Sequence, residues 1–344
     1  MRATLISPNP ASNAGGVERF CALLAKVMDD AGWATGLVGP AGPAPTALAR
    51  LGLGPTLQAV SATRNARGEH ADLVISNGFL GGPTGGRRIH VYHGTMVEHV
   101  RKGATGSRRY RLRELAGGAL AEGLCARGAT RVVAVSRSTA GEVERLYRQR
   151  VDTVIPNAVD TDLFSPGDRR TARARLGLEL GEERRYALFV GRFEHRKGAD
   201  LVPEACRRAG FELLVAGRDA PQSAVKLGTL TPDELVYAYR AANCVIFPTR
   251  YESFGYVTVE GLACGVPVIT TDVGWTRELL ARCPGYRQFV VQPNLDSVTS
   301  GLQRLADIDA GDVLAHARDF IEQENSLPVF GRRWLELIGE VCRA

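Results

Sequence analysis

Short β-rich apolar runs alternate with stretches of helical period along the chain. In the first half the runs are Thr4–Ile6, Ala34–Val38, Leu73–Ser76, Ile89–Tyr92, Val132–Val135 and Thr153–Ile155. In the second they are Tyr186–Val190, Glu212–Ala216, Val225–Leu227, Val245–Phe247, Val268–Thr270 and Phe289–Val291. Between the first two runs, Val17, Phe20, Leu24, Val27 and Ala31 recur three and four residues apart, the stripe of one helix face. Thr231, Pro232 and Glu234 supply the N-cap, first helical position and third position of a capping box. The tail Pro328–Ala344 reads as an amphipathic helix with Trp334, Leu337, Ile338 and Val341 on one face. Strand and helix in strict alternation predict an α/β fold with parallel sheets.

Pro156–Arg170 is rich in Pro, Asp, Asn and Gly, has no period, and separates two blocks of similar design. The expected architecture is two Rossmann-like domains facing each other across a cleft: residues 1–160, with the tail 328–344 packing back on them, and residues 161–327. A length of 344 residues agrees with two domains at roughly 150 each. Ligands of such sheets bind beyond the C-terminal strand ends, so the loops there are the ones to search.

Composition narrows the class. With 44% hydrophobic and 23% charged residues the chain is no disordered, collagen-like or coiled-coil protein. No stretch reaches the ~20 apolar residues of a membrane span, and MRATLISPNP is too short for a secretory apolar core. A cytoplasmic protein is expected. The net charge of +6 permits an anionic partner without choosing one. Arginine is spread along the chain without interleaved aromatics, which argues against nucleic acid. The seven cysteines form no CxxC pair and read as small buried hydrophobes. There is no GxGxxG, Walker A, HExxH or GxSxG motif. His90 and His93 are expected on opposite faces of a strand, and neither Asp160-Thr161-Asp162 nor Asp307-Ile308-Asp309 follows a core strand, so no metal is expected.

Three loops remain, each after an expected strand. In NAGGVERF (Asn13–Phe20), Gly15 and Gly16 open the first helix, where backbone amides can approach an anion; an ordinary glycine turn explains the same residues. In GRFEHRKG (Gly191–Gly198), Arg192 and Lys197 can supply the two charges a pyrophosphate needs in the absence of a metal, or form a solvated loop. Lys197 is one of only four lysines beside 39 arginines. In PTRYESFGYVTVE, a helix is expected to start near Gly255, with Glu252 before it and Glu260 inside. The amides of Phe254, Gly255 and Tyr256 would cap an anion, and Glu260 could accept from a vicinal diol such as a ribose.

ESFGYVTVE paired with GRFEHRKG, preceded by VIPNAVDTDLFSP and the N-terminal GGVE, resembles the family 4 retaining glycosyltransferases of GT-B fold. The resemblance implies metal-independent transfer of a hexosyl group to an acceptor hydroxyl. The donor, a UDP- or GDP-linked sugar, would be bound mainly by the C-terminal domain. It implies no cofactor, and an acceptor that is a bacterial small molecule, a natural product or cell-envelope precursor. Arg192 and Lys197 would clamp the donor phosphates, Glu260 would bind the ribose, Glu252 would lie beside the donor sugar, and His93, in YHGT, over the reacting sugar. Ala158 stands where glycine is usual after Pro-Asn, and acceptor specificity is left open. Two other readings stay open: a sugar-nucleotide 2-epimerase on the same fold and a non-catalytic nucleotide-sugar-binding module. The basic stretch Arg101, Lys102, Arg108, Arg109, Arg111 and Arg113 is either a solvated face or a peripheral contact with the inner membrane face.

Overall fold

The computed structural model describes residues 1–11, 15–42, 54–103, 111–112, 115–181, 183–305 and 307–343. Asn13, Arg108, Arg109 and Arg113, named above, lie outside them. The chain divides into two compact units, Met1–Ala158 with Pro328–Ala344, and Val159–Leu327.

The first unit carries a six-stranded sheet of order β2-β1-β3-β4-β5-β6. Its strands are β1 (Arg2–Ile6), β2 (Ala34–Val38), β3 (Leu73–Asn77), β4 (Arg87–Tyr92), β5 (Arg131–Ala134) and β6 (Thr153–Val154). Every pairing is parallel. β3 is buried along its whole length, as expected of a strand covered on both faces. The tail helix Leu327–Arg343 buries Trp334, Leu337, Ile338 and Val341. Phe330 and Trp334 lie 6.0 and 5.4 Å from the Phe20 ring of the first helix, Gly16–Asp30, so chain end and chain start share one aromatic cluster.

The second unit carries a five-stranded parallel sheet of order β11-β10-β7-β8-β9. Its strands are β7 (Tyr186–Val190), β8 (Glu212–Ala216), β9 (Val225–Gly228), β10 (Cys244–Phe247) and β11 (Val268–Thr270). The capping box at Thr231 and Glu234 forms as expected. One expected strand does not. Pro284–Phe289 is a 3-10 helix, and Val290 makes only an isolated bridge to Thr270. The reason lies at the sheet edge. The Tyr286 hydroxyl accepts from the Val268 amide at 3.1 Å and donates to its carbonyl at 2.8 Å, occupying groups that a sixth strand would pair with.

Candidate functional site

In the second unit the strand order reverses at β7, which pairs with β8 on one side and β10 on the other. The loops that leave β7 and β10 therefore emerge side by side at the switch point, where open α/β sheets bind ligands. They are Gly191–Gly198 and the segment from Pro248 to Gly255.

Side chains stitch the two loops together. Arg250 donates to both carboxylate oxygens of Asp200 at 2.7 and 2.9 Å, and its amide donates to the Arg196 carbonyl at 2.8 Å. Thr249 Oγ1 donates to the same carbonyl at 3.1 Å. Arg196 reaches the other way: Nη1 donates to the Tyr251 carbonyl at 3.1 Å and to Glu252 Oε1 at 3.2 Å, and Nη2 to Glu194 Oε1 at 2.7 Å. Burial works against the Arg196 charge, but Glu252 and Glu194 outweigh it and raise its pKa.

Of the two cations singled out in the sequence, Arg192 is the more open. Its side chain is 60% exposed, with Glu194 Oε2 at 3.7 Å. Lys197 closes the 3-10 turn His195–Lys197, and its ammonium lies 5.8 Å from the centre of the Phe247 ring. Burial lowers its pKa, opposed by the nearby Glu252 carboxylate. Gly191 has φ +108, and a Cβ there would collide with the Lys197 ammonium. A side chain at 191 would displace that ammonium and strain the left-handed backbone.

The second loop turns into the helix Tyr256–Ala263 at Gly255, a left-handed N-cap with φ +85 and no side-chain cap. The helix thus starts where the sequence placed it, with no side-chain cap and with the positive end of its dipole at the loop. The Phe254 side chain is buried, with its ring edge-on to Tyr256 at 5.0 Å, so what it can offer a ligand is backbone. Glu252 precedes the helix and is half-buried. Glu260 lies inside the helix, 2% exposed, where its Oε2 accepts from the Tyr239 hydroxyl at 2.7 Å.

The first unit holds the remaining candidates. Gly15 caps the helix Gly16–Asp30 in extended conformation, again without a side-chain cap. His93 follows β4 directly, with Nε2 2.8 Å from Asn77 Oδ1 and its ring edge-on to Phe20 at 4.7 Å. Burial pushes its pKa down to about 3. His90 bonds Ser76 Oγ through Nδ1 at 2.9 Å, and burial, with the nearby Arg88 and His93, lowers its pKa. Both Asp-x-Asp triplets serve the backbone: Asp160 accepts from the amides of Asp162 and Leu163, and Asp309 from that of Gly311.

Sequence reasoning missed Arg196, Arg250 and Asn77. The first two read as ordinary surface charges, and the partners that join the two loops lie about fifty residues away. Asn77 reads as the last residue of a strand. A clue was present in part: GRFEHRKG holds three cations and one acid, more charge than a clamp alone requires.

Among the described residues no helix is long and apolar enough to cross a membrane. Known proteins resemble both units. D-inositol 3-phosphate glycosyltransferase of Segniliparus rotundus is 35% identical over 179 residues, covering 44% of this chain and 39% of that protein. The Mycobacterium tuberculosis protein of the same name is 40% identical over 145 residues, covering 36% and 30%. The matched region spans less than half the length of these relatives. Among solved structures, sucrose-phosphate synthase of Thermosynechococcus elongatus superposes with a TM-score of 0.79 at 20% identity, covering 99% of this chain and 98% of that one. Anabaena HepE in complex with UDP-glucose gives 0.73 at 17%, covering 99% and 100%. At such identities the likeness shows the fold: these are GT-B proteins, and so is this one. The profile of Glycosyltransferase Family 4 matches residues 14–163 and that of Glycosyl transferases group 1 matches residues 171–323, one in each unit, so the chain belongs to the family 4 glycosyltransferases.

Proposed function

We propose that this protein transfers a hexosyl group from a nucleotide-diphosphate sugar, UDP- or GDP-linked, to an acceptor hydroxyl, with retention at the anomeric carbon and without a metal. The observation that carries the reading is the meeting, at the β7/β10 switch point, of a loop bearing Arg192 and Lys197 with the loop that ends in an uncapped helix start at Gly255. One cation held against the sheet, a second more open one and a helix dipole are a setting in which a pyrophosphate can bind and depart. Glu260 is assigned to the ribose and Glu252 to the transferred sugar. In the first unit, Gly15 and Gly16 are assigned to the donor as an amide-rich helix start, and His93 to the reaction as a neutral imidazole that accepts from a substrate hydroxyl.

In the reaction the bond between the anomeric carbon and the phosphate oxygen breaks as the acceptor oxygen bonds to the same carbon on the same face. The leaving phosphate takes the acceptor proton, and Arg192 and Lys197 stabilise its charge. Covalent attack by Glu252 is disfavoured because Arg196 draws on its carboxylate. The acceptor is a bacterial small molecule. The names of the relatives make inositol 3-phosphate the first to try, and UDP-glucose, bound in the HepE structure, the first donor.

The test incubates the protein with UDP-glucose or GDP-mannose and inositol 3-phosphate in EDTA. Expected are nucleotide diphosphate and a glycoside whose anomeric configuration, read by NMR, matches the donor. A new sugar isomer formed without acceptor would mean an epimerase. Tight nucleotide binding with neither transfer nor donor hydrolysis would mean a binding module.

A further inference from the structure

The loop at the switch point carries three cations, and they are not equivalent. Arg192 is exposed and Lys197 stands against an aromatic ring, whereas Arg196 is already shared between two carboxylates and a carbonyl. Its side chain is 19% exposed, and those of Glu194 and Glu252 are 29% and 22% exposed. The Arg196 backbone is pinned as well, its carbonyl accepting from the Arg250 amide and from Thr249 Oγ1. A guanidinium so held has no uncommitted charge for an incoming phosphate. What it does have is a fixed direction. Its planar fork spans two acids at once, which the single point charge of a lysine does not.

We infer that Arg196 is a positioning residue for Glu252. By holding Oε1 it turns Oε2 toward the transferred sugar as a hydroxyl acceptor, and among the described residues Oε2 accepts no hydrogen bond. Through Glu194 and the Tyr251 carbonyl the same side chain fixes the spacing between the sugar-reading loop and the phosphate loop. Division of labour follows: Arg192 and Lys197 read the pyrophosphate, and Arg196 reads nothing directly but sets the glutamate that reads the sugar. This rests on the donor assignment proposed above.

The experiment uses the full chain as wild type, Arg196→Met, Arg196→Lys, Glu252→Gln and the Arg196→Met/Glu252→Gln double variant. Calorimetry reads affinity for UDP, GDP, UDP-glucose and GDP-mannose, nucleotide diphosphate release reads turnover, and urea unfolding reads the coupling between the two residues. Arg196→Met is expected to keep UDP or GDP affinity within about threefold while turnover falls about 10- to 100-fold. Arg196→Lys should recover part of the turnover. The double variant should be no slower than Glu252→Gln alone, because residues acting as one unit are not additive. Equal losses of diphosphate affinity and turnover would make Arg196 a phosphate ligand and overturn the inference, as would additive losses. If wild type binds none of the four nucleotides, the proposed function falls; the inference falls separately if unfolding shows no coupling between residues 196 and 252.

Discussion

Asn77 dictates which nitrogen of His93 carries the proton. The Asn77 amide nitrogen donates to the Ile6 carbonyl at 2.8 Å, which leaves its oxygen to face His93 Nε2, also at 2.8 Å. An oxygen can only accept, so Nε2 is protonated and Nδ1 keeps the lone pair. Asn77→Asp should reverse the electrostatics. A carboxylate at that distance favours imidazolium and should raise the His93 pKa by about 1–3. Titration of the His93 ring resonances by NMR checks this; an unchanged midpoint would refute the geometry.

Transfer should proceed undiminished in EDTA, because Arg192 and Lys197 take the place of a divalent cation. Loss of activity in EDTA that manganese restores would overturn the metal-independent reading.

Removing either clamp cation should cut turnover by ~10²–10³, the scale of losing one preorganised charge stabiliser. Lys197→Ala should be the more damaging, since Lys197 is the less hydrated of the two and its charge acts through a lower local dielectric. Nucleotide diphosphate affinity should fall less than turnover. Near-normal rates in both variants would remove the assignment.

The two glutamates should separate cleanly. Glu260→Gln, still able to accept from Tyr239, should weaken nucleotide diphosphate and intact donor alike, about ten- to a hundred-fold for a lost charged hydrogen bond. Glu252→Gln should leave diphosphate binding intact and lower turnover sharply. Calorimetry with initial rates decides, and the opposite pattern would exchange the roles.

A fifth expectation concerns stability. Glu122, in the first unit, is 4% exposed and accepts at Oε2 from the Met96 amide at 2.7 Å and from the Tyr147 hydroxyl. Burial, aided by Glu142, pushes its pKa from 4.5 up to about 7. The folded chain therefore holds a proton that the unfolded chain loses at lower pH. The stability from this group is full below about pH 4.5 and lost as pH rises through about 7. That separation corresponds to about 3 kcal/mol. Glu122→Gln should flatten this dependence and unfold at higher urea than wild type at pH 8. Equal pH slopes in the two proteins would sink the assignment.

Much of the fold was legible because parallel strands buried on both faces are short apolar runs, and the helices between them keep a strict period. Phe289–Val291 misled for that same reason: an apolar triplet looks like a strand until Tyr286, three residues earlier, is seen to satisfy the sheet edge. The start of the helix near Gly255 was legible because the polar loop around Glu252 and Ser253 gives way there to an apolar run. Arg196 and Asn77 were not. Their meaning lies in partners 56 and 16 residues away, and separations of that kind have no periodicity to betray them.

Since the tail helix completes the aromatic cluster around Phe20, the first unit is a host and residues 159–327 a guest inserted into it. The guest's ends are tied together, with the Val159 amide donating to the Asn325 carbonyl at 2.8 Å and Val159 bridging Ser326. A gene cut after residue 158 would therefore yield not an N-terminal domain but a host lacking one wall, with Phe20 laid open where Trp334 belongs. The natural excision is the reverse: lift out the guest whole, and rejoin 158 to 328 with a short linker.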